Sequence, residues 1–156
     1  MSAPTSTESE AVDAVKDLLE QQDSSVWTNA DPEIFYNWEV SFQEKGPADD
    51  QPAELYVWQP VDTDITKLTA DGRYLDENHN VEVQIWTLDD TTTQQYMRDV
   101  IQVFGDYLDT QQDTTEFITV PPTAARDLRS DAVARATSHY LATVEISPRK
   151  LSLAGT

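Results

Sequence analysis

At Asp89-Asp90 the apolar residues of this chain change their period, and that change fixes what lies on either side. Before it, Val81, Val83 and Ile85 alternate with Glu82, Gln84 and Trp86 as far as Leu88, the two-residue repeat of a strand with one buried face. After it, Met97, Val100, Ile101, Phe104, Tyr107 and Leu108 recur at helical spacing, which predicts a helix from Thr91 to Asp109 with Thr92 or Thr93 as its cap. Gly105 lies inside that helix, at a cost of about 1 kcal/mol relative to alanine. A strand and a helix that each carry one apolar face bury them against one another, so the chain is a layered one.

The remaining segments fill in the layers. Thr7 and Glu10 have the spacing of a capping box, and Val12, Val15, Leu18 and Leu19 then share one face, so a first helix is expected over residues 8–22. Beyond the Asp31-Pro32 turn, Ile34, Tyr36, Trp38, Val40 and Phe42 alternate strictly with polar neighbours and predict a strand through Gln43. The loop at residues 45–52 joins it to Leu55-Tyr56-Val57-Trp58-Gln59, expected as its antiparallel partner. Residues 62–80 are polar and read as irregular structure or a protruding hairpin. A short strand is expected over Glu116 to Val120, a polar linker around Arg126-Asp127-Leu128-Arg129, and a last strand from Tyr140 to Ile146, stopped by Pro148. The expected fold is α+β: an antiparallel or mixed sheet with two helices on one face. Residues 1–7 are expected as a flexible arm, 8–147 as one domain, and 148–156 as a tail.

Charge adds a second constraint. The chain of 156 residues carries 29 acids against 10 bases, a net charge of -19, and only four of the bases are lysine. Repulsion among these carboxylates acts over a Debye length of about 8 to 10 Å in ordinary buffer, but only about 3 Å at molar salt. An acidic, lysine-poor chain is therefore suited to a salt-saturated cytoplasm, that of a haloarchaeon. The imbalance is uneven: residues 1–120 hold 26 acids and five bases, residues 121–156 three acids and five bases.

Most site chemistries are missing from the sequence. Without cysteine there is no disulfide, thiolate metal site or thiol nucleophile. The four glycines stand singly, so neither a Walker A loop nor a dinucleotide-binding turn is present, and His79 and His139 lie in no metalloprotease motif. Asp62, Asp64, Asp71, Asp76 and Glu77 form an acidic cluster, but aligning Gly72 with the invariant glycine of a calcium loop puts Lys67 at its first position and Asn78 at its last, which fails the pattern. No cofactor, metal or catalytic residue is assigned; a small metal-dependent hydrolase would place its site in that cluster. No stretch reads as a signal peptide or membrane span, so a cytoplasmic protein is expected.

Trp38, Trp58 and Trp86 fall in expected strands, where a platform for bases or sugars would hold them, but nucleic-acid binding also needs a basic groove. Packing is the better account, with Trp38 and Trp86 expected to be buried. Trp86 is opposite in phase to Val83 and Ile85, which also makes it a candidate for facing a partner.

Over residues 8–147 the layout resembles that of the small neck proteins of tailed viruses, in particular tail terminators, here in a haloarchaeal form. The likeness lies in the opening helix, Leu55-Tyr56-Val57-Trp58, Val81-Glu82-Val83-Gln84-Ile85-Trp86, the helix Thr91 to Asp109, Arg126-Asp127-Leu128-Arg129 and the strand Tyr140 to Ile146. It implies a virion protein without catalytic residues, assembled in the host cytoplasm into a homo-oligomeric ring, commonly a hexamer. Such a ring lies between the tail tube and the head connector and passes DNA without reading it; a head-closure or adaptor ring shares the layout. The expected contact residues are Ile65, Leu68, Tyr74 and Leu75 in the polar segment, Trp86, and Arg149, Lys150, Leu151 and Leu153 in the tail, with the two bases meeting the acidic body of the next subunit.

Screening of 29 acids predicts a melting temperature that rises from low to molar KCl. Thermal melts across that range check it, and a flat or falling curve contradicts the salt-adapted reading.

Overall fold

A computed structural model describes residues 8, 10–41, 44–47, 53–60, 64–67, 74–110, 117, 120–127 and 139–153, with the backbone alone at 64–67, 74, 106–110, 127 and 151–153. The elements are α1 (Ala11–Glu20), β1 (Glu33–Tyr36), a 3-10 turn (Asn37–Glu39), β2 (Glu54–Trp58), β3 (Asp64–Lys67), β4 (Tyr74–Asn78), β5 (Val81–Thr87), α2 (Asp90–Thr110), β6 (Pro122–Asp127), β7 (Tyr140–Ile146) and β8 (Arg149–Leu153). They form a five-stranded sheet ordered β1-β2-β5-β7-β6 and a three-stranded sheet ordered β3-β4-β8. This is an α+β fold.

The two sheets share one ladder. β5 pairs antiparallel with β7 from Thr87↔Tyr140 to Val81↔Ile146, and β4 pairs with β8 from Asn78↔Arg149 to Tyr74↔Leu153 with no shift of register. Between them the His79 N–H donates to the Pro148 carbonyl at 2.9 Å, so the register carries from one sheet to the other. Residues 74–87 and 140–153 thus form one ribbon, about 45 Å long if fully extended. The polar segment is a hairpin, as one of the two expectations had it, and residues 149–153, expected as a tail, are its third strand.

The core lies on one face of the large sheet. Leu55 and Val57 of β2, Val81, Val83 and Ile85 of β5, and Ala142, Val144 and Ile146 of β7 meet Ala11, Ala14, Val15, Leu18 and Leu19 of α1 and Tyr96, Val100, Val103 and Phe104 of α2. Both helices therefore pack on that face. The loop after α1 is tied to α2 through Asp99, whose carboxylate accepts from the Thr28 N–H and hydroxyl, both at 2.9 Å. α2 is capped by Asp89 and not by a threonine, because the Asp89 side chain accepts from the Thr92 N–H at 3.1 Å while Thr92 and Thr93 already lie inside the first turn. α1 starts at Ala11 without a side-chain cap on its N-cap residue, Glu10, and Thr7 lies outside the described residues.

Several expectations need correction. The strand predicted through Gln43 stops at Tyr36: Glu39 accepts from the Tyr36 N–H, and the buried Lys45 ammonium donates to the carbonyls of Asn37 (3.0 Å) and Val40 (2.6 Å), groups a strand would offer to a neighbour. Trp38 is consequently turned outward and is 67% exposed, not buried. β1 and β2 pair parallel, not antiparallel as expected, with Glu33 opposite Glu54 and Tyr36 opposite Val57. Of the strand expected over Glu116 to Val120, Phe117 and Val120 are buried outside any strand and the rest lies outside the described residues. The linker at Arg126 is instead β6, an edge strand opening on Pro122, with Thr123, Ala124, Ala125 and Arg126 exposed. Such a strand shows no apolar alternation because neither face is covered.

Gly105 sits inside α2, and a methyl group there would meet nothing within 4 Å. Gly105→Ala should stabilise the protein by about 1 kcal/mol, raising the melting temperature by about 2 to 4 °C. An unchanged or lowered melting temperature would show that the residue serves something other than the helix.

Candidate functional site

Three surfaces collect the polar and aromatic side chains that the core leaves over. The first is the arm formed by β3, β4 and β8. Ile65 pairs through its backbone with Glu77, Tyr74 with Leu153, Leu75 with Ser152, Leu151 with Asp76, and Lys150 with Glu77. Leu68 lies outside the described residues. The polar segment and the C-terminal stretch, expected to reach a neighbour separately, therefore meet each other first. Arg149 spends its charge within the chain: its guanidinium donates to both Asp76 carboxylate oxygens, at 2.7 and 3.1 Å, and this hydrogen bond holds the Asp76 carboxyl below its ordinary value. The Lys150 ammonium lies 5.5 Å from the Phe117 ring centroid.

The junction between the two sheets is packed by an aromatic ring and a carboxylate. The Phe117 ring stands edge-on to His79 at 5.9 Å, and Glu77 Oε1 lies 3.4 Å from His79 Nε2, within ion-pair range. Burial pushes His79 below its ordinary value, with Glu77 opposing. Asp76 and Glu77, the described carboxylates of the acidic cluster, thus face a guanidinium and an imidazole. Among the described residues no three histidine or acidic side chains come together as a metal site.

The second surface is the sheet face opposite the helices. Tyr56, Trp86 and Leu141 form a small apolar layer there, joined by Phe35, which stacks on Tyr56 at 5.6 Å. Trp86 is buried at 1% exposure, as one reading of it expected. The loop between β1 and β2 closes over this layer through polar contacts. The Tyr56 hydroxyl donates to Glu54 and accepts from the Gly46 N–H at 3.2 Å, while the Lys45 ammonium sits 4.7 Å from the Tyr56 ring centroid. His139 lies against the same loop, with Nε2 3.1 Å from the Pro47 carbonyl. Gly46 has φ +106, and a Cβ there would come within 2.6 Å of the His139 ring, so only glycine fits. Burial raises the Glu54 carboxyl and lowers the Lys45 ammonium from their ordinary values, with the Glu54 charge opposing the shift of Lys45. Sequence reasoning missed this group, since a lysine and a glutamate in an acidic chain read as solvated.

The third surface is the pair of sheet edges, β1 and β6. Near β1, a groove lined by Leu19, Glu20, Gln22, Trp27, Asp31, Pro32 and Ile34 brings two carboxylates to an apolar floor, with no nucleophile, histidine or cation among its walls. No helix among the described residues is long and apolar enough to cross a membrane.

No family model and no curated protein sequence matches the chain. Its fold does match a chain in a solved structure described as the virion of a native gene transfer agent particle. The TM-score is 0.60 at 11% sequence identity, over 92% of this chain and 100% of that one. At that identity the likeness is one of fold.

The Glu54 carboxyl carries a pH signature of its own. A carboxyl raised in the folded state adds stability below its unfolded value, and that contribution is lost as pH rises through the folded value. Glu54→Gln cannot ionise, so the stability gap should move in its favour as pH rises from about 4 to about 7. Urea midpoints of parent and variant at matched salt check this. A constant gap, or one moving towards the parent, contradicts the raised value.

Proposed function

We propose that this chain is a structural protein of a tailed virion, and that it acts as a ring-forming tail terminator at the neck, joining the tail tube to the head connector in a virus of a salt-saturated host. The observation that carries this reading is the fold correspondence with a virion chain, which extends over the whole of that chain and nearly the whole of this one. A likeness so complete is one of entire domains and not of a shared motif. The surfaces described above fit an assembly part: a three-stranded arm prolongs two core strands, and buried polar groups fasten loops instead of lining a reaction site.

In this reading the ring, commonly a hexamer, lets DNA pass through an acidic channel that repels it, consistent with a net charge of -19. The arm, with Ile65, Leu75, Leu151 and Leu153, provides contacts to neighbouring subunits or to the tube. Arg149 and Lys150 serve it from within, Arg149 by bracing β8 on β4.

Purified protein in molar KCl, imaged by negative-stain microscopy alone and with tail tubes, tests the proposal. Rings that cap tube ends support a terminator, whereas rings that bind only connectors mark a head-closure or adaptor part. Protein that stays monomeric with both tubes and connectors present contradicts the neck assignment.

A further inference from the structure

Among the described residues Trp38 is the most exposed large apolar side chain, at 67%, in a structure that buries Trp27 and Trp86. Its indole is stacked on Tyr36, with ring centroids 4.5 Å apart and planes 8° from parallel. Tyr36 is itself held: its hydroxyl donates to Asp13, and the Lys16 ammonium lies 4.8 Å from its ring centroid. One face of the indole therefore rests on a braced ring, and the other is open to solvent.

The surroundings of this stack select by charge. Burial, the hydrogen bond to Asp13 and the charges of Asp13, Glu8 and Glu20 all push the Tyr36 hydroxyl up, which places those carboxylates around it. Glu33 and Glu39 flank the stack in sequence and are exposed. Lys16 is the only base over residues 8–39, against nine acids, and its ammonium is already bonded to Glu20 at 2.6 Å. The chain itself thus lays a cation on this pair of rings.

Beside the stack, Glu20 and Asp31 stand at a groove lined by Leu19, Trp27, Pro32 and Ile34, with a volume of about 230 Å³. That is room for one side chain, below the roughly 300 to 1,000 Å³ of a pocket for a whole small molecule. Ile34 at the groove and Tyr36 at the stack are two residues apart on β1, about 7 Å, and β1 is an edge of the large sheet. Groove and stack therefore lie along one open strand.

We propose that this edge binds an extended segment of a partner protein, with an arginine laid on the open face of Trp38 and an apolar side chain of the same segment in the groove. A guanidinium is planar and weakly hydrated, and on contact it gains from an indole face and from neighbouring carboxylates together. Phosphate-bearing ligands are repelled by the same carboxylates. A second copy has less to offer: of its described guanidiniums, Arg149 is spent on Asp76 and Arg126 shares its notch with Glu145, which leaves the exposed Arg98. The contact does not depend on ring formation.

The peptide acetyl-Leu-Thr-Arg-Thr-Leu-amide, when extended, presents its arginine with a leucine about 7 Å away on the same side in either direction, and its citrulline analogue keeps the shape without the charge. Each is titrated into isotope-labelled protein in molar KCl while the tryptophan indole N–H signals are followed by NMR, Trp38 being assigned by its loss in Trp38→Leu. With the arginine peptide, Trp38 and the groove residue Trp27 should shift together and saturably while the buried Trp86 stays still. Citrulline should weaken binding about threefold or more. Trp38→Leu, with unchanged circular dichroism, should weaken the arginine peptide by a like factor and the citrulline peptide less. Equal affinity for the two peptides makes the edge a platform for neutral groups and overturns the proposal, as does the absence of saturation by about 10 mM peptide. A Trp38 shift that grows with protein concentration before any peptide is added assigns the site to a second copy and overturns it as well.

Discussion

The long ladder between residues 74–87 and 140–153 is the interaction on which the other elements depend. Its central part is paired on both sides, by β2 beyond β5 and by β6 beyond β7, and carries the apolar residues that both helices cover. Its outer part is paired with β3 beyond β4 and becomes the arm. One register serves both, so a one-residue slip would turn Val81, Val83, Ile85, Val144 and Ile146 out of the core and at the same time part Arg149 from Asp76. The core thus specifies the arm's geometry.

The same ladder explains why some of the fold could be read in the sequence and some could not. β5, β7, α1 and α2 each bury one face and expose the other, and this produces the periodicity visible in Val81-Glu82-Val83-Gln84-Ile85 and in Val100, Phe104 and their neighbours. β6 buries neither face and β8 pairs with an arm, so their residues were not selected for alternation. The stretch after Tyr36 misleads in the opposite direction, since Trp38 and Val40 keep strand phase while Lys45 removes the backbone acceptors a strand would use. Local pattern records what a side chain faces. It does not record which backbone groups a distant lysine will claim.

The candidate surfaces were legible to a smaller degree. Trp86 follows its alternation faithfully, but to the second face, where Tyr56 and Leu141 await it; the phase was readable and the occupant was not. Arg149 and Asp76 lie 73 residues apart in sequence, and nothing short of the β4–β8 register places them together. The Lys45, Glu54 and Tyr56 group is equally non-local in its effect, since it fastens a crossing loop to a sheet face. Buried polar contacts of this kind mark where an irregular connection must hold one conformation, and so they lie where sequence patterns are weakest.

Charge and contact are divided by range. With a net charge of -19, two copies of this chain repel at any separation within the Debye length, and only at molar salt does that length shrink to about 3 Å, the scale of direct contact. Under those conditions long-range attraction between acidic and basic patches is screened as thoroughly as the repulsion. Whatever joins two copies must then act on touching, through apolar burial, ring stacking and hydrogen bonds at close quarters. High salt strengthens the burial of apolar groups even as it weakens pairing between exposed charges. An indole held out on a braced tyrosine is suited to that regime, and the surrounding carboxylates keep the remainder of the surface hydrated and apart. Assembly of such a chain would be selective because few of its exposed groups can gain anything by contact.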